Sequence, residues 1–277
     1  MNTVKLQNKI VIENPENFKS KDTLECGQFF RYFLREDGSY LVYSTDKKAE
    51  IFEYGDKTEI VTSDVDYFEN FFDLGRDYSV FEKKYQNIPF LKNAFEFGRG
   101  IRLLNQNLEE TLFSFIISAN NNIKRIKKII ENICRGLGEN KGDYYAFPTA
   151  RQMASADEAF FKEAGAGYRA SYLLSTAKTL VEGFDLEGLV KLDTLSARKA
   201  IMSLKGVGPK VADCILLFGL KKCDSFPVDT WIEKAYHDYF ETGLKNRNDI
   251  SKYLCELFGE DAGYIQQYLF NYIRNFR

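Results

Sequence analysis

Residues 204–212 read Leu-Lys-Gly-Val-Gly-Pro-Lys-Val-Ala between two segments of helical periodicity, and this short turn constrains the fold more than any other stretch. Gly206 and Gly208 permit backbone torsions that other residues resist and leave the amides between them open to approach. Pro209 suits the first position of a following helix, where a missing N–H costs nothing. The spacing predicts one helix from Asp193 to Leu204 and a second from Pro209 to Gly219, joined by a tight hairpin over 193–219. Free amides at a helix start attract phosphate through hydrogen bonds and the helix dipole. Gly206, Gly208 and Val211 are therefore the candidate phosphate-binding positions, indifferent to base sequence. The same residues would also serve as a plain interhelical turn.

Lys210 falls in the first turn of that second helix, where the positive dipole end and partial burial both disfavour an ammonium. An amine must be free of its proton to attack carbon, so the location suits a nucleophile. Cys214 lies one turn further along the same face, and a thiolate there would oppose this effect. A helix of this length is about 15 Å long, and an extended return at about 3.3 Å per residue brings Asp229, in Pro227-Val228-Asp229, back to the helix start. A carboxylate at that point would stabilise positive charge developing on a sugar. Asp229 equally reads as the cap of a helix holding Trp231 and Ile232.

The rest of the chain reads as α+β, an N-terminal antiparallel sheet domain over 1–98 followed by a larger all-helical domain over 99–277. Arg31–Arg35 and Tyr40–Ser44 flank Asp37-Gly38, and Ala49–Tyr54 and Thr58–Thr62 flank Gly55-Asp56, both hairpin signals. Helical patterning begins at Asp64. Asn107-x-x-Glu110, Thr149-x-x-Gln152 and Ser155-x-x-Glu158 resemble capping boxes. Ile123, Ile126, Ile130 and Ile133 form a stripe that ends at Gly136, and a further helix is expected from Ala170 to Val181.

Several classes of function are excluded. The five cysteines are scattered with no CxxC pair, and His237 is the lone histidine, which argues against structural zinc, an iron–sulfur cluster and His-based chemistry. No metal or cofactor is expected. No apolar run approaches the roughly 18 residues that span a bilayer, and Met1–Lys5 has no apolar signal core. The net charge of −2 counts against a nucleic-acid partner in sum. Its distribution does not, because residues 1–100 carry −4 and residues 101–277 carry +2. The densest basic cluster, Lys124-Arg125-Ile126-Lys127-Lys128, also reads as a solvated helix face.

Leu204-Lys-Gly-Val-Gly-Pro-Lys210-Val-Ala-Asp-Cys214, followed by Pro227-Val-Asp229, resembles the helix–hairpin–helix glycosylase superfamily, and within it the 8-oxoguanine DNA glycosylase and abasic-site lyase family. The resemblance runs from Cys26-Gly27-Gln28 to Phe270. It implies that Lys210 attacks the sugar C1′ and forms a Schiff base that can proceed to β-elimination, with Asp229 assisting. It implies that the Gly27 carbonyl accepts the N7 hydrogen of 8-oxoguanine, which guanine lacks. Cys214 and Phe270 would sandwich the flipped base and Gln266 would read its pairing edge. Asn120, Arg125 and Arg169 would contact the widowed cytosine, and Tyr168 would wedge into the stack. The implied partner is damaged double-stranded DNA, bound by a monomer in the cytoplasm of a prokaryote. Trp231 departs from the pattern, standing where better-known eukaryotic members carry a phosphate-contacting histidine. The rival readings are a glycosylase for another lesion, such as an alkylated base, and a non-enzymatic duplex-binding module. Lys210 separates both from the family reading, since neither needs a nucleophilic lysine.

Overall fold

The computed structural model describes residues 3–240 and 242–276. Six strands, β1 (Thr3–Leu6), β2 (Lys9–Ile12), β3 (Tyr32–Leu34), β4 (Tyr40–Ser44), β5 (Lys47–Glu53) and β6 (Thr58–Val61), form one antiparallel sheet in the order β1-β2-β6-β5-β4-β3. Both expected hairpins are present. Tyr32 pairs with Val42 across a turn in which Gly38 has φ +83°, and Glu53 pairs with Thr58 across Gly55-Asp56. The β1–β2 pair joins this meander through β6. One face packs Ile10, Ile12, Val42, Ala49, Ile51 and Ile60 against Phe18, Phe68, Phe71 and Phe72, the alternation expected of a half-buried sheet.

The helices are α1 (Ser20–Glu25), α2 (Val65–Phe71), α3 (Ser79–Tyr85), α4 (Pro89–Phe97), α5 (Leu108–Ser118), α6 (Ile123–Leu137), α7 (Ala150–Ser155), α8 (Glu158–Glu163), α9 (Ala170–Val181), α10 (Thr194–Ile201), α11 (Pro209–Phe218), α12 (Thr230–Tyr239), α13 (Arg247–Phe258) and α14 (Ala262–Phe276). Asn107 caps α5 and Thr149 forms a full capping box on α7, as their spacing predicts. Two details differ. The helix after Ser155 is capped by Asp157, whose carboxylate accepts from the Phe160 amide, and Ser155 is the last residue of α7. The Ile stripe also runs past Gly136 to a C-cap at Gly138, because the Cys134 carbonyl still finds the Gly138 amide.

Buried apolar residues of α5, α11 and α14 form the centre of the helical core, and Phe81, Leu91 and Phe95 of α3 and α4 pack into it as well. The sheet docks on this body through a buried polar joint. Arg31 is fully buried, its Nε 3.0 Å from Glu131 of α6, and it also donates to the carbonyls of Thr45 and Tyr145. Glu110 of α5 accepts from the Thr45 amide at 2.6 Å while its second oxygen has no partner. Burial pushes the Glu110 carboxyl up to about 7, with Arg31 pulling it the other way. Between its unfolded value near 4.5 and about 7, the folded chain keeps a proton that the unfolded chain has lost, so stability falls across that window. Glu110→Gln keeps an acceptor for Thr45 without the charge. Its stability relative to the parent is expected to rise from pH 5 to pH 8 by on the order of 2 kcal/mol, read by urea denaturation. A constant difference between these pH values would show that Glu110 is ionised throughout.

Candidate active site

Five stretches of the chain converge on one recess, about 330 Å³ counting the space open to solvent, lined by Cys26, Gly27, Gln28, Phe115, Lys210, Cys214, Phe218, Pro227, Asp229, Gln266, Gln267 and Phe270. All six residues assigned to catalysis and base binding line it. The hairpin builds one wall. Gly206 has φ +88°, and a Cβ there would sit 2.7 Å from the Tyr172 side chain, so both torsion and space require glycine. Gly208 is the N-cap of α11 and offers no side chain to its amides, and a Cβ there would meet nothing within 4 Å. The open approach to this helix start is thus a property of Gly208, while Val211 turns its buried side chain into the core. Arg198 of α10 clamps the two hairpin helices through Asp213 at 2.6 Å.

Lys210 sits one residue past the helix start with its Nζ 5.3 Å from the centre of the Phe115 ring. Cys214, one turn on, is buried, and burial pushes its thiol up to about 11 although Lys210 pulls the other way. Cys214 is therefore a neutral thiol at physiological pH, so the opposing thiolate does not form. Asp229 caps α12, its Oδ1 accepting from the amides of Trp231 at 2.9 Å and Ile232 at 3.0 Å. The cap also holds Asp229 in the lining of the recess.

The opposite wall comes from the N-terminal segment and α14. Gly27 has φ +86°, and a Cβ there would lie 3.7 Å from the Phe270 ring, so a side chain would intrude on the recess. Cys26 accepts from Gln267 Nε2 at 2.8 Å, and burial pushes its thiol up to about 11. On α14, Gln266 and Phe270 are one turn apart and share a face. Gln266 Nε2 reaches the Pro227 carbonyl at 3.4 Å, while its Oε1 is buried with no partner among the described residues.

The second group of expected residues lies apart from the recess, where the chain before α6 meets the segment before α9. Tyr168 is 54% exposed, its ring edge-on to Tyr172 and its hydroxyl 3.3 Å from the Ala119 carbonyl. Asn120 has φ +49° and is exposed, and Arg125 reaches the Gly165 carbonyl at 3.3 Å. Arg169 is buried and donates to the carbonyls of Ala119, Asn120 and Ala166. It stitches the two segments together. Phe115, Gln28 and Gln267 were not singled out in sequence, since an aromatic in Leu112–Ile117 reads as core and the glutamines carry no periodic signal.

A family model described as HhH-GPD superfamily base excision DNA repair protein matches residues 113–260, and one for the N-terminal domain of 8-oxoguanine DNA glycosylase matches residues 10–112. A probable N-glycosylase/DNA lyase of Methanothermobacter thermautotrophicus is 32% identical over 231 residues, covering 75% of this chain and 72% of that protein. The N-glycosylase/DNA lyase of Saccharomyces cerevisiae is 39% identical over 167 residues, covering 53% of this chain and 44% of that protein. The crystal structure of Clostridium acetobutylicum 8-oxoguanine glycosylase/lyase with DNA containing cytosine opposite 8-oxoG matches with a TM-score of 0.92 at 38% identity, over 99% of this chain and 98% of that one. The chain belongs to the helix–hairpin–helix superfamily of base excision DNA repair proteins and carries the N-terminal domain of the 8-oxoguanine DNA glycosylases.

Substitutions at Asp229 can remove the cap or remove only the charge. Asp229→Ala is expected to lose about 1 kcal/mol of stability, whereas Asp229→Asn, which still accepts from both amides, keeps nearly all of it. Thermal melts of both variants check this, and equal losses would contradict the capping geometry.

Proposed function

We propose that the chain is a bifunctional DNA glycosylase/β-lyase that excises 8-oxoguanine from duplex DNA opposite cytosine, by flipping the damaged base into the recess. The observation that carries this reading is the shared recess itself, which gathers an amine, a carboxylate, a neutral thiol, an aromatic face and an unpaired amide oxygen. The open approach at Gly206, Gly208 and Val211 takes a backbone phosphate and sets the flipped nucleotide's sugar beside Lys210. The base lies between the Cys214 sulfur and the Phe270 ring. Gln266 Oε1 accepts from its pairing edge, and the Gly27 carbonyl accepts from N7–H. With guanine the N7 lone pair would face that carbonyl, an unpaired contact between acceptors that discriminates the two bases.

The Lys210 amine attacks C1′, and the N-glycosidic bond breaks with its electron pair leaving on the base, which takes up a proton. Loss of the ammonium proton and opening of the sugar ring give a Schiff base between Lys210 and C1′. Removal of a C2′ proton then breaks the bond from C3′ to the 3′ phosphate oxygen, completing β-elimination. Asp229 stabilises the positive charge that builds on the sugar during base loss. Asn120 and Arg125 face the widowed cytosine and Tyr168 fills the gap in the stack, while Arg169 reaches the cytosine by exchanging a carbonyl partner for the base. The protein acts as a monomer in the cytoplasm of a prokaryote, with residues 1–98 and 99–277 as its two units and α3 and α4 docked on the helical core. Among the described residues no helix is long and apolar enough to cross a membrane.

Lys210→Gln is expected to bind a duplex with 8-oxoguanine opposite cytosine as the parent does and to lose single-turnover base release by roughly a thousandfold or more. Strand cutting retained by Lys210→Gln would remove Lys210 as the nucleophile.

A further inference from the structure

The densest group of basic side chains lies outside the recess. α6 carries Lys124, Arg125, Lys127, Lys128 and Arg135 against one carboxylate, Glu131, five cations and one anion in 15 residues of a chain whose net charge is −2. At 3.6 residues per turn, Lys124, Lys128, Glu131 and Arg135 fall on a single ridge. The opposite face, Ile126, Ile129, Ile130 and Ile133, is buried in the core. Lys124, Lys128 and Arg135 are exposed. The one acidic member of the ridge is already neutralised from inside, since Arg31 holds Glu131 at 3.0 Å.

The ridge cations differ from those of the sheet. Lys5, Lys9, Lys47, Lys48 and Lys57 each pair with a carboxylate. Among the described residues, Lys124, Lys128 and Arg135 have no carboxylate within 4 Å. Positive charge is thus cancelled in place on the sheet and left open on α6. The helix begins at Ile123, next to Asn120 and the Tyr168 segment, and Lys124 to Arg135 extends about 16 Å away from it. That length covers roughly five base-pair rises measured along the duplex axis at ~3.4 Å each. The hairpin meets phosphate with uncharged amides, whereas ammonium and guanidinium groups displace counterions on binding.

We infer that the exposed ridge of α6, formed by Lys124, Lys128 and Arg135, is a second phosphate-binding surface that grips the duplex flanking the lesion and supplies the salt-sensitive part of DNA affinity. This rests on the proposed function for its partner, and its own observable is duplex affinity, not base release. Because backbone contacts carry no sequence information, the ridge acts equally on damaged and intact duplex.

The test compares wild type, Lys128→Gln/Arg135→Gln, and Lys5→Gln/Lys9→Gln, which removes the same charge from the opposite edge of the sheet. Dissociation constants are measured from roughly 50 to 200 mM salt on an undamaged duplex and on one with an uncleavable abasic analogue opposite cytosine. The α6 variant is expected to bind both duplexes roughly tenfold more weakly at low salt, and its salt slope to fall by about 1.8, two contacts at ~0.9 each. The sheet-edge variant keeps the wild-type slope, and single-turnover base release at saturating DNA is the same in all three. An unchanged slope in the α6 variant, or an equal fall in the sheet-edge variant, would overturn the proposal. Failure of the glycosylase reading looks different: no base released by wild type, with the α6 effect on the slope intact.

Discussion

The side-chain amide of Gln28 holds the Gly27 segment in place. It is 1% exposed, donates to the carbonyls of Thr23 at 2.8 Å and Arg102 at 2.7 Å, and accepts from the Leu104 amide at 2.9 Å. Its backbone carbonyl takes a further bond from Gln106. A buried amide satisfied at each of these points has one orientation, and any slip would leave polar groups unpaired at a cost of about 1–3 kcal/mol each. Gly27, the adjacent residue, inherits that rigidity. The recess exists because this cross-link meets α11 and α14 at a fixed distance, with Cys26 tied to Gln267 across the junction.

Electrostatics divide along the same lines. Groups around the recess are kept neutral where a charge would interfere: the thiols of Cys26 and Cys214 are both held up near 11 by burial. The geometry of Asp229 is set by two backbone amides. Beneath the sheet the Arg31, Glu110 and Glu131 joint links the segment that carries Gly27 to α6, the helix that starts beside Asn120. One buried guanidinium therefore braces both the segment that carries Gly27 and the helix that starts beside Asn120. Positioning of this kind lets a flipped base and its abandoned partner be held together.

Much of this was legible in the sequence because local rules and the fold agreed. The Gly-Val-Gly-Pro turn, the Asn107 and Thr149 caps and the Asp37-Gly38 hairpin are set by torsions and hydrogen bonds within a few residues, and each appears where its spacing places it. The Ser155 cap failed for the same local reason: Asp157 offers a stronger acceptor two residues later, after α7 has ended, and starts the next helix. The meeting of Gly27 with Phe270, the placement of Gln266 against Pro227 and the inward turn of Arg169 depend on contacts between residues far apart in the chain, which no periodicity encodes. Resemblance to a family supplied those residues; the packing explains why they meet. Phe115 escaped notice because a ring under a lysine and a ring in a core have the same local pattern.

The most direct test of the central claim, that Lys210 forms a Schiff base with the sugar of a flipped 8-oxoguanine nucleotide, is borohydride reduction during reaction followed by peptide mapping of the adduct. Duplexes with 8-oxoguanine or guanine opposite cytosine are treated in parallel. A covalent adduct is expected on the lesion duplex alone, with the sugar remnant on Lys210. Release of 8-oxoguanine with no trapped adduct, or a remnant mapped to another lysine, would contradict it.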